Sequence, residues 1–286
     1  MIFFEHADGR VCIVFPYLGR VLAGSTDIRV DRAARVRCEP EERDYILDAL
    51  HRVFPGMAVG PEHVVFSYSG IRPLPRSDHE FTGRISRSHF VHRLDGAVPQ
   101  FCMVGGKWTT FRAFAEQTAD AVLTELGKAR VASTLSMAIG GGAGFPPEPG
   151  VLGAELAGRH GIPPDRAASL LDLYGTRAEE VMIFCKGRAA DQPLAQGCQV
   201  TTGEIAFLVQ REFARSLGDV LLRRTPLSIR GIVSTGVIRR VATILADELG
   251  WDEEKTTSEV EAFIADLADY HGVSREMLDQ RDKRRS

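Results

Sequence analysis

A chain of 286 residues is long enough for one large or two ordinary domains. Its 44% hydrophobic and 26% charged residues are those of an ordinary globular protein, and a net charge of -3 leaves neither a nucleic-acid footprint nor an acidic tail. No run approaches the roughly eighteen apolar residues of a membrane span, and the start MIFFEHADGR lacks the basic-then-apolar order of a signal peptide. The cysteines, Cys12, Cys38, Cys102, Cys185 and Cys198, are odd in number and never in CxxC spacing. That pattern is expected of free thiols in a reducing cytoplasm.

In chain order, Arg10 to Phe15 reads as a strand, Pro16 to Arg20 as a turn, and Arg20 to Gly24 as the second arm of a hairpin. A helix is predicted from about Glu41, with Ile46, Leu47, Leu50, Val53 and Phe54 on one stripe and Pro55-Gly56 as its stop. Val64 to Tyr68, Ile85 to Leu94 and Phe101 to Val104 read as strands, with Asp95-Gly96 as a turn. Phe111, Phe114, Ala115, Val122 and Leu126 then recur at helical spacing, and Gly127 ends the element. Residues 140–150, GGGAGFPPEPG, read as a linker. Beyond them the pattern is helical. Thr176 to Glu179 and Thr201 to Glu204 both fit a capping box, Val237 to Leu249 and Glu253 to His271 are amphipathic, and the basic end RDKRRS is expected to fray.

Chemistry concentrates in three motifs. In VGGKWTTFR, residues 104–112, two glycines, a lysine and two threonines sit between a strand and a helix. The first turn of a helix exposes N–H groups without internal partners, and its dipole makes that end partly positive. Gly105 and Gly106 let a ligand approach without meeting a Cβ, and Lys107 adds a full charge, so the turn suits an anion or an electron-rich carbonyl. By spacing alone it is equally a plain strand-to-helix turn capped by Thr109 or Thr110. In YSGIRPLPR, residues 68–76, Pro73 holds Arg72 extended, two residues after Gly70. A rigidly held arginine forks onto phosphate or carboxylate; the alternative is a salt bridge at a turn. Alternation along RISRSHF puts Ile85, Arg87 and His89 on one face, so Arg87 either joins Arg72 in a two-arginine phosphate clamp or is a solvated edge residue. Asp27 in GSTDIRVD is a candidate for a polar network or a surface turn. GGGAG at 140–144 is followed by prolines and is neither a dinucleotide fingerprint nor a P-loop. His89 and His92 fall on opposite strand faces, and no metal site is expected.

FPYLGRVLAGSTD (15–27), YSGIRPLPR (68–76) and GGKWTTFR (105–112), in this order and spacing, together resemble the FAD-dependent glycerol-3-phosphate dehydrogenase family. The resemblance covers nearly the whole chain and is strongest up to Gly127. Gly24-Ser25-Thr26-Asp27 stands where the family usually has GTTD, Trp108 where it has leucine, and Phe111 where it has tyrosine. The resemblance implies an α+β fold. An antiparallel-sheet substrate-binding region, with the last strand and helix of a FAD-binding domain, precedes an all-α C-terminal domain. The implied boundaries are 1–135 for the substrate-binding and FAD-contacting part of a DAO-like flavoprotein domain, 136–150 for a linker, and 151–286 for the helical domain.

By the same resemblance, Arg72 and Arg87 bind the substrate phosphate, and Lys107 is catalytic beside substrate and flavin. Gly70, Ile71, Gly105, Gly106, Lys107, Trp108 and Thr109 contact FAD. A helix N-terminus and a lysine would stabilise the negative charge that hydride arrival leaves at the pyrimidine end of the ring. The implied reaction oxidises sn-glycerol 3-phosphate to dihydroxyacetone phosphate, with hydride passing to FAD and electrons to a quinone. The alternatives are a glycerol-3-phosphate oxidase that uses oxygen, or a non-catalytic remnant serving as an interaction module. The expected setting is cytoplasmic, with peripheral attachment at the inner membrane face; the resemblance allows a homodimer and implies no nucleic-acid partner.

No GxGxxG fingerprint for the FAD pyrophosphate occurs in the sequence. The chain therefore reads as the C-terminal portion of such an enzyme, a truncated or split product whose partner is a missing N-terminal FAD-binding segment. It is expected to be inactive alone and to bind FAD weakly or not at all. A visible spectrum after FAD addition and desalting checks this: the expected result is no retained flavin, and tight stoichiometric retention would sink the expectation.

Overall fold

The computed structural model describes residues 1–6, 8–74, 85–105 and 107–284. Strands β1 (Ile2–Glu5), β2 (Val11–Tyr17) and β3 (Arg20–Gly24) form an antiparallel sheet in that order, with Phe3 opposite Ile13 and Val14 opposite Ala23. The β2–β3 hairpin closes through Leu18 and Gly19, at φ 51° and 74°. Two successive positive φ values give a turn whose twist matches that of the strands it joins. Helix α1 (Pro40–Val53) packs against β3 and buries Leu47 and Ala49. Proline at its first position and the Glu42 carboxylate, accepting the Glu39 N–H at 3.0 Å, start it; Pro55 stops it.

The chain is α+β and divides into two units. The first gathers Met1–Ser25, Arg37–Ser69 and Ile139–Ser286; the second gathers Thr26–Val36 and Gly70–Ala138. In the second, β4 (Phe90–Leu94) pairs antiparallel with β5 (Gln100–Val104), and α2 (Phe111–Glu125) follows.

Besides α1, the first unit's α-helices are α3 (Pro149–His160), α4 (Pro164–Tyr174), α5 (Ala178–Lys186), α6 (Thr202–Arg211), α7 (Thr235–Leu249), α8 (Glu253–His271) and α9 (Arg275–Lys283). Ser234, Asp252 and Ser274 cap α7, α8 and α9 by accepting the N–H groups of Val237, Lys255 and Met277. Each such cap contributes about 1 kcal/mol. Two apolar clusters form the core. One joins Ile205, Leu208, Ile238, Leu245 and Leu267; the other joins Leu156, Leu170, Val181 and Phe207.

At their junction lies a buried polar group. Glu204 is 1% exposed and lies 3.4 Å from Arg166, which also donates to Thr201 Oγ1 at 2.8 Å and to the Gln199 carbonyl. The Tyr174 hydroxyl donates to Glu204 at 3.0 Å. Removing one partner of such a pair typically costs about 3–5 kcal/mol, because the other charge is left buried.

Several expectations change. Residues 64–68 are not in a strand, and of 85–94 only Phe90–Leu94 is. Tertiary contacts to the α8–α9 corner hold the first stretch, in place of a ladder. Thr201 accepts the Glu204 N–H as a cap should, but the Glu204 side chain turns to Arg166 and Tyr174. Thr176 does not cap α5; its hydroxyl bonds the carbonyls of Gly141 and Ala143. Those bonds tie the glycine stretch down, and a Cβ at Gly141 would lie 1.8 Å from the Tyr174 backbone carbonyl oxygen. The basic end is helical through Lys283, and Arg281 binds two carbonyls. No described helix is long and apolar enough to cross a membrane, and none of the five cysteines is in a disulfide.

Burial pushes the Glu204 carboxyl up to about 7, against the pull of Arg166 and Tyr174. A folded value above the ordinary 4.5 means that the folded chain keeps a proton which the unfolded chain releases, so stability falls as pH rises from about 4.5 to 7. Melting temperatures measured between about pH 5 and 8 should fall more steeply for the wild type than for Glu204→Gln. Parallel curves would exclude Glu204 as the source.

Candidate functional site

The second unit carries every residue that the three motifs nominate, from Gly70 to Thr109. Its scaffold is the β4–β5 pair, with Val91 opposite Met103 and Arg93 opposite Phe101, packed against α2. Three sets of contacts fix α2. His89 lies against Phe114 with ring centroids 4.8 Å apart and the rings tilted by 31°, and its Nε2 is 3.0 Å from Gln117 Oε1. Arg93 of β4 pairs with Glu125 at 3.1 Å. Arg112, Glu116 and Asp120 bind the chain that follows the helix: Glu116 accepts the Thr134 N–H at 2.6 Å, and Arg130 bridges Glu116 and Asp120, each at 2.7 Å. Bonds from Ser133 and Thr134 hold the Glu116 carboxyl below its usual range.

The end of α2 nearest β5 has the form that the sequence suggests. A 3-10 turn, Trp108–Thr110, leads into the helix. Neither Lys107 nor Thr110 caps it with a side chain, and the Thr110 hydroxyl donates to the Lys107 carbonyl at 3.1 Å. The first-turn N–H groups therefore meet no side-chain cap, and a simple threonine-capped turn is not what the residues make. Lys107 and Thr109 are exposed, and Trp108 is 93% exposed.

Gly105 has a local explanation: a Cβ there would lie 3.0 Å from His89 Cβ and 3.1 Å from the Phe114 ring. Gly106 lies outside the described residues, as do the last two positions of the YSGIRPLPR motif. Around Gly70 the described residues leave open space, with none of their atoms within 4 Å of an added Cβ. Ile71 and Arg72 are exposed, and Arg72 has no ion-pair partner among the described residues. Arg87 is half-buried and lies 3.6 Å from Asp27. Asp27 is thus part of a polar network, and Arg87 is already partly neutralised. Among the described residues, no group of three His, Cys, Asp or Glu side chains is placed to hold a metal ion.

Two family models match the chain in sequence: "FAD dependent oxidoreductase" over residues 1–121 and "C-terminal domain of alpha-glycerophosphate oxidase" over residues 132–256. A glycerol-3-phosphate dehydrogenase of Synechocystis is 29% identical over 266 residues, and a mitochondrial one of Arabidopsis thaliana is 29% identical over 269. Along most of its length the chain is thus similar to FAD-dependent glycerol-3-phosphate dehydrogenases. The matches cover 90% and 89% of the chain but 47% and 42% of the two relatives, so it spans about half their length. The crystal structure of the glycerol-3-phosphate dehydrogenase from Bacillus halodurans, complexed with FAD, has a similar fold. Its TM-score is 0.75 at 24% identity, over 94% of this chain and 53% of that one.

The pairing of Arg87 with Asp27 had only a weak signal in sequence. Asp27 is far from Arg87 along the chain, and only the tertiary fold joins them. The partnership of His89 with Gln117 had none, because it depends on how α2 lies over β4. Gly105→Ala should overpack the His89–Phe114 contact and destabilise the second unit by about 1–3 kcal/mol. Hydrogen exchange of α2 amides checks this: faster exchange is expected, and an unchanged rate would show that the glycine is not required by packing.

Proposed function

We propose that this chain carries the substrate-phosphate and flavin-ring contacts of an enzyme that oxidises sn-glycerol 3-phosphate to dihydroxyacetone phosphate. FAD is its cofactor and a quinone its electron acceptor. The observation that supports this most is the content of the second unit. One glycine-arginine stretch, one half-buried arginine and one lysine at an uncapped helix start occur together in a single unit. The relatives named above are glycerol-3-phosphate dehydrogenases.

The residues present fit one end of a flavin. Open space at Gly70 admits a flat ring close to the backbone, and the first-turn N–H groups before α2 are free of side-chain caps. Gly70, Ile71, Gly105, Gly106, Lys107, Trp108 and Thr109 would hold it. When bound, FAD supplies the hydride acceptor. The chain's own part is electrostatic and positional. Arg72 and Arg87 hold the phosphate dianion, which fixes the carbinol carbon relative to the ring. Lys107 and the helix dipole supply positive potential where negative charge develops. Asp27 holds Arg87 in place and tempers its charge, so that phosphate arrival exchanges one anionic partner for another. We further propose the division 1–135, 136–150 and 151–286 for substrate and flavin contacts, linker and helical domain. A cytoplasmic setting with peripheral attachment at the inner membrane face suits a membrane-held quinone.

In a flavin-loaded preparation of the enzyme, glycerol 3-phosphate should bleach the flavin band. Arg72→Ala should raise the concentration needed for half-maximal bleaching about ten- to a hundredfold, the effect of one lost charge-assisted contact. An unchanged value would remove Arg72 from the clamp. Re-oxidation by air with peroxide release, and not by a quinone analogue, would replace the quinone by oxygen as acceptor.

A further inference from the structure

The stretch before the Gly70-Ile71-Arg72 motif is held in an unusual way. Residues 64–68 form no ladder, yet their backbone is bound at two carbonyls by side chains from the far end of the same unit. His271, the last residue of α8, places Nδ1 2.9 Å from the Ser67 carbonyl. A carbonyl only accepts, so Nδ1 carries the proton. The Ser67 N–H returns a bond to the His271 carbonyl at 3.0 Å, and the imidazole stacks on Phe66 at 4.6 Å and 12°. Arg281 of α9 donates one arm to the Val65 carbonyl at 2.7 Å and the other to the Val233 carbonyl at 3.0 Å. Two glycines make room. An added Cβ at Gly231 would lie 3.1 Å from Val65, and one at Gly272 would lie 3.4 Å from the Ser67 hydroxyl. Phe66 packs against the larger apolar cluster.

This grip ends where the motif begins, since Ser69 is the last residue of the first unit on this pass of the chain and Gly70 the first of the second. We infer that His271 and Arg281 are positioning residues for the phosphate clamp: by fixing the backbone at Val65 and Ser67, they set the anchor from which Arg72 is presented. The inference rests on the role proposed for Arg72. It gives the helical half a task in substrate recognition that requires no contact between that half and substrate.

The test combines hydrogen exchange with substrate dependence in the flavin-loaded enzyme. His271→Phe keeps the stacked ring and loses the donor, His271→Asn restores a donor near the place of Nδ1, and Arg281→Met removes both arms. His271→Phe and Arg281→Met should speed exchange across Val65–Ile71 about two- to tenfold, the range of one lost hydrogen bond, with α7 amides unchanged. The glycerol 3-phosphate concentration for half-saturation should rise by a similar factor while turnover at saturation changes less, and His271→Asn should reverse most of both effects. Arg281→Lys serves where the methionine variant also loosens α7. Unchanged exchange, or faster exchange with unchanged half-saturation, overturns the inference. If Arg72→Ala weakens binding and the grip variants do not, this inference alone falls. If Arg72→Ala itself has no effect, the proposed clamp fails and the positioning role fails with it.

Discussion

Arg166 and Glu204 meet where the two apolar clusters of the helical unit join, and the placement of the other helices follows from that meeting. Helix α6 sends Phe207 into one cluster and Ile205 and Leu208 into the other. Glu204 lies on the same helix, and Tyr174, which donates to it, packs against both clusters. A polar group at such a seam is costly unless fully bonded, so it admits few alternative packings. Arg166 completes it by reaching Thr201 and the Gln199 carbonyl, which fixes the loop before α6. With α6 placed, α7 packs on it, α8 on α7, and the α8–α9 corner can receive Val65 to Ser67.

The second unit is built on a different principle. No residue of α2 is fully buried, and the element is held by ion pairs and by bonds to the chain beyond it. Exposed pairs of this kind are individually weak, about 0–1 kcal/mol. Their effect here comes from number and from spacing: Arg112, Glu116 and Asp120 recur every four residues, so they lie along one stripe of α2 and bind a single following segment. The outcome is a helix whose start faces outward, uncapped and beside a lysine, without a large core beneath it.

Elements governed by local rules were legible in the sequence. The β2–β3 hairpin, α1 with its proline stop, α2 with Gly127, and the amphipathic α7 and α8 follow from period, caps and breakers. The order of the three motifs was enough to suggest the family resemblance, and the candidate site residues from Gly70 to Thr109 fall in one unit. What the sequence hid were features decided by distant partners. Val64 to Tyr68 has the composition of a strand, but its carbonyls are taken by His271 and Arg281. Thr176 has the spacing of a cap and spends its hydroxyl on Gly141 and Ala143. The end RDKRRS has the charge of a frayed tail, while its first arginine is anchored. In each case a local propensity was real and a tertiary bond overrode it.

The bond between Arg281 and Val65 joins residues 216 positions apart, and that separation sets an order of events. At synthesis rates of about 5–20 residues per second, Val65 waits on the order of ten to forty seconds for the arginine that will hold it. During that interval the hairpin and α1 can form from neighbours in sequence, but the stretch leading to Arg72 has no anchor. Closure of so long a loop is entropically late, and it comes only after the helices between have found one another. The approach to the Gly70-Ile71-Arg72 motif is thus among the last stretches of this chain to be anchored as it folds.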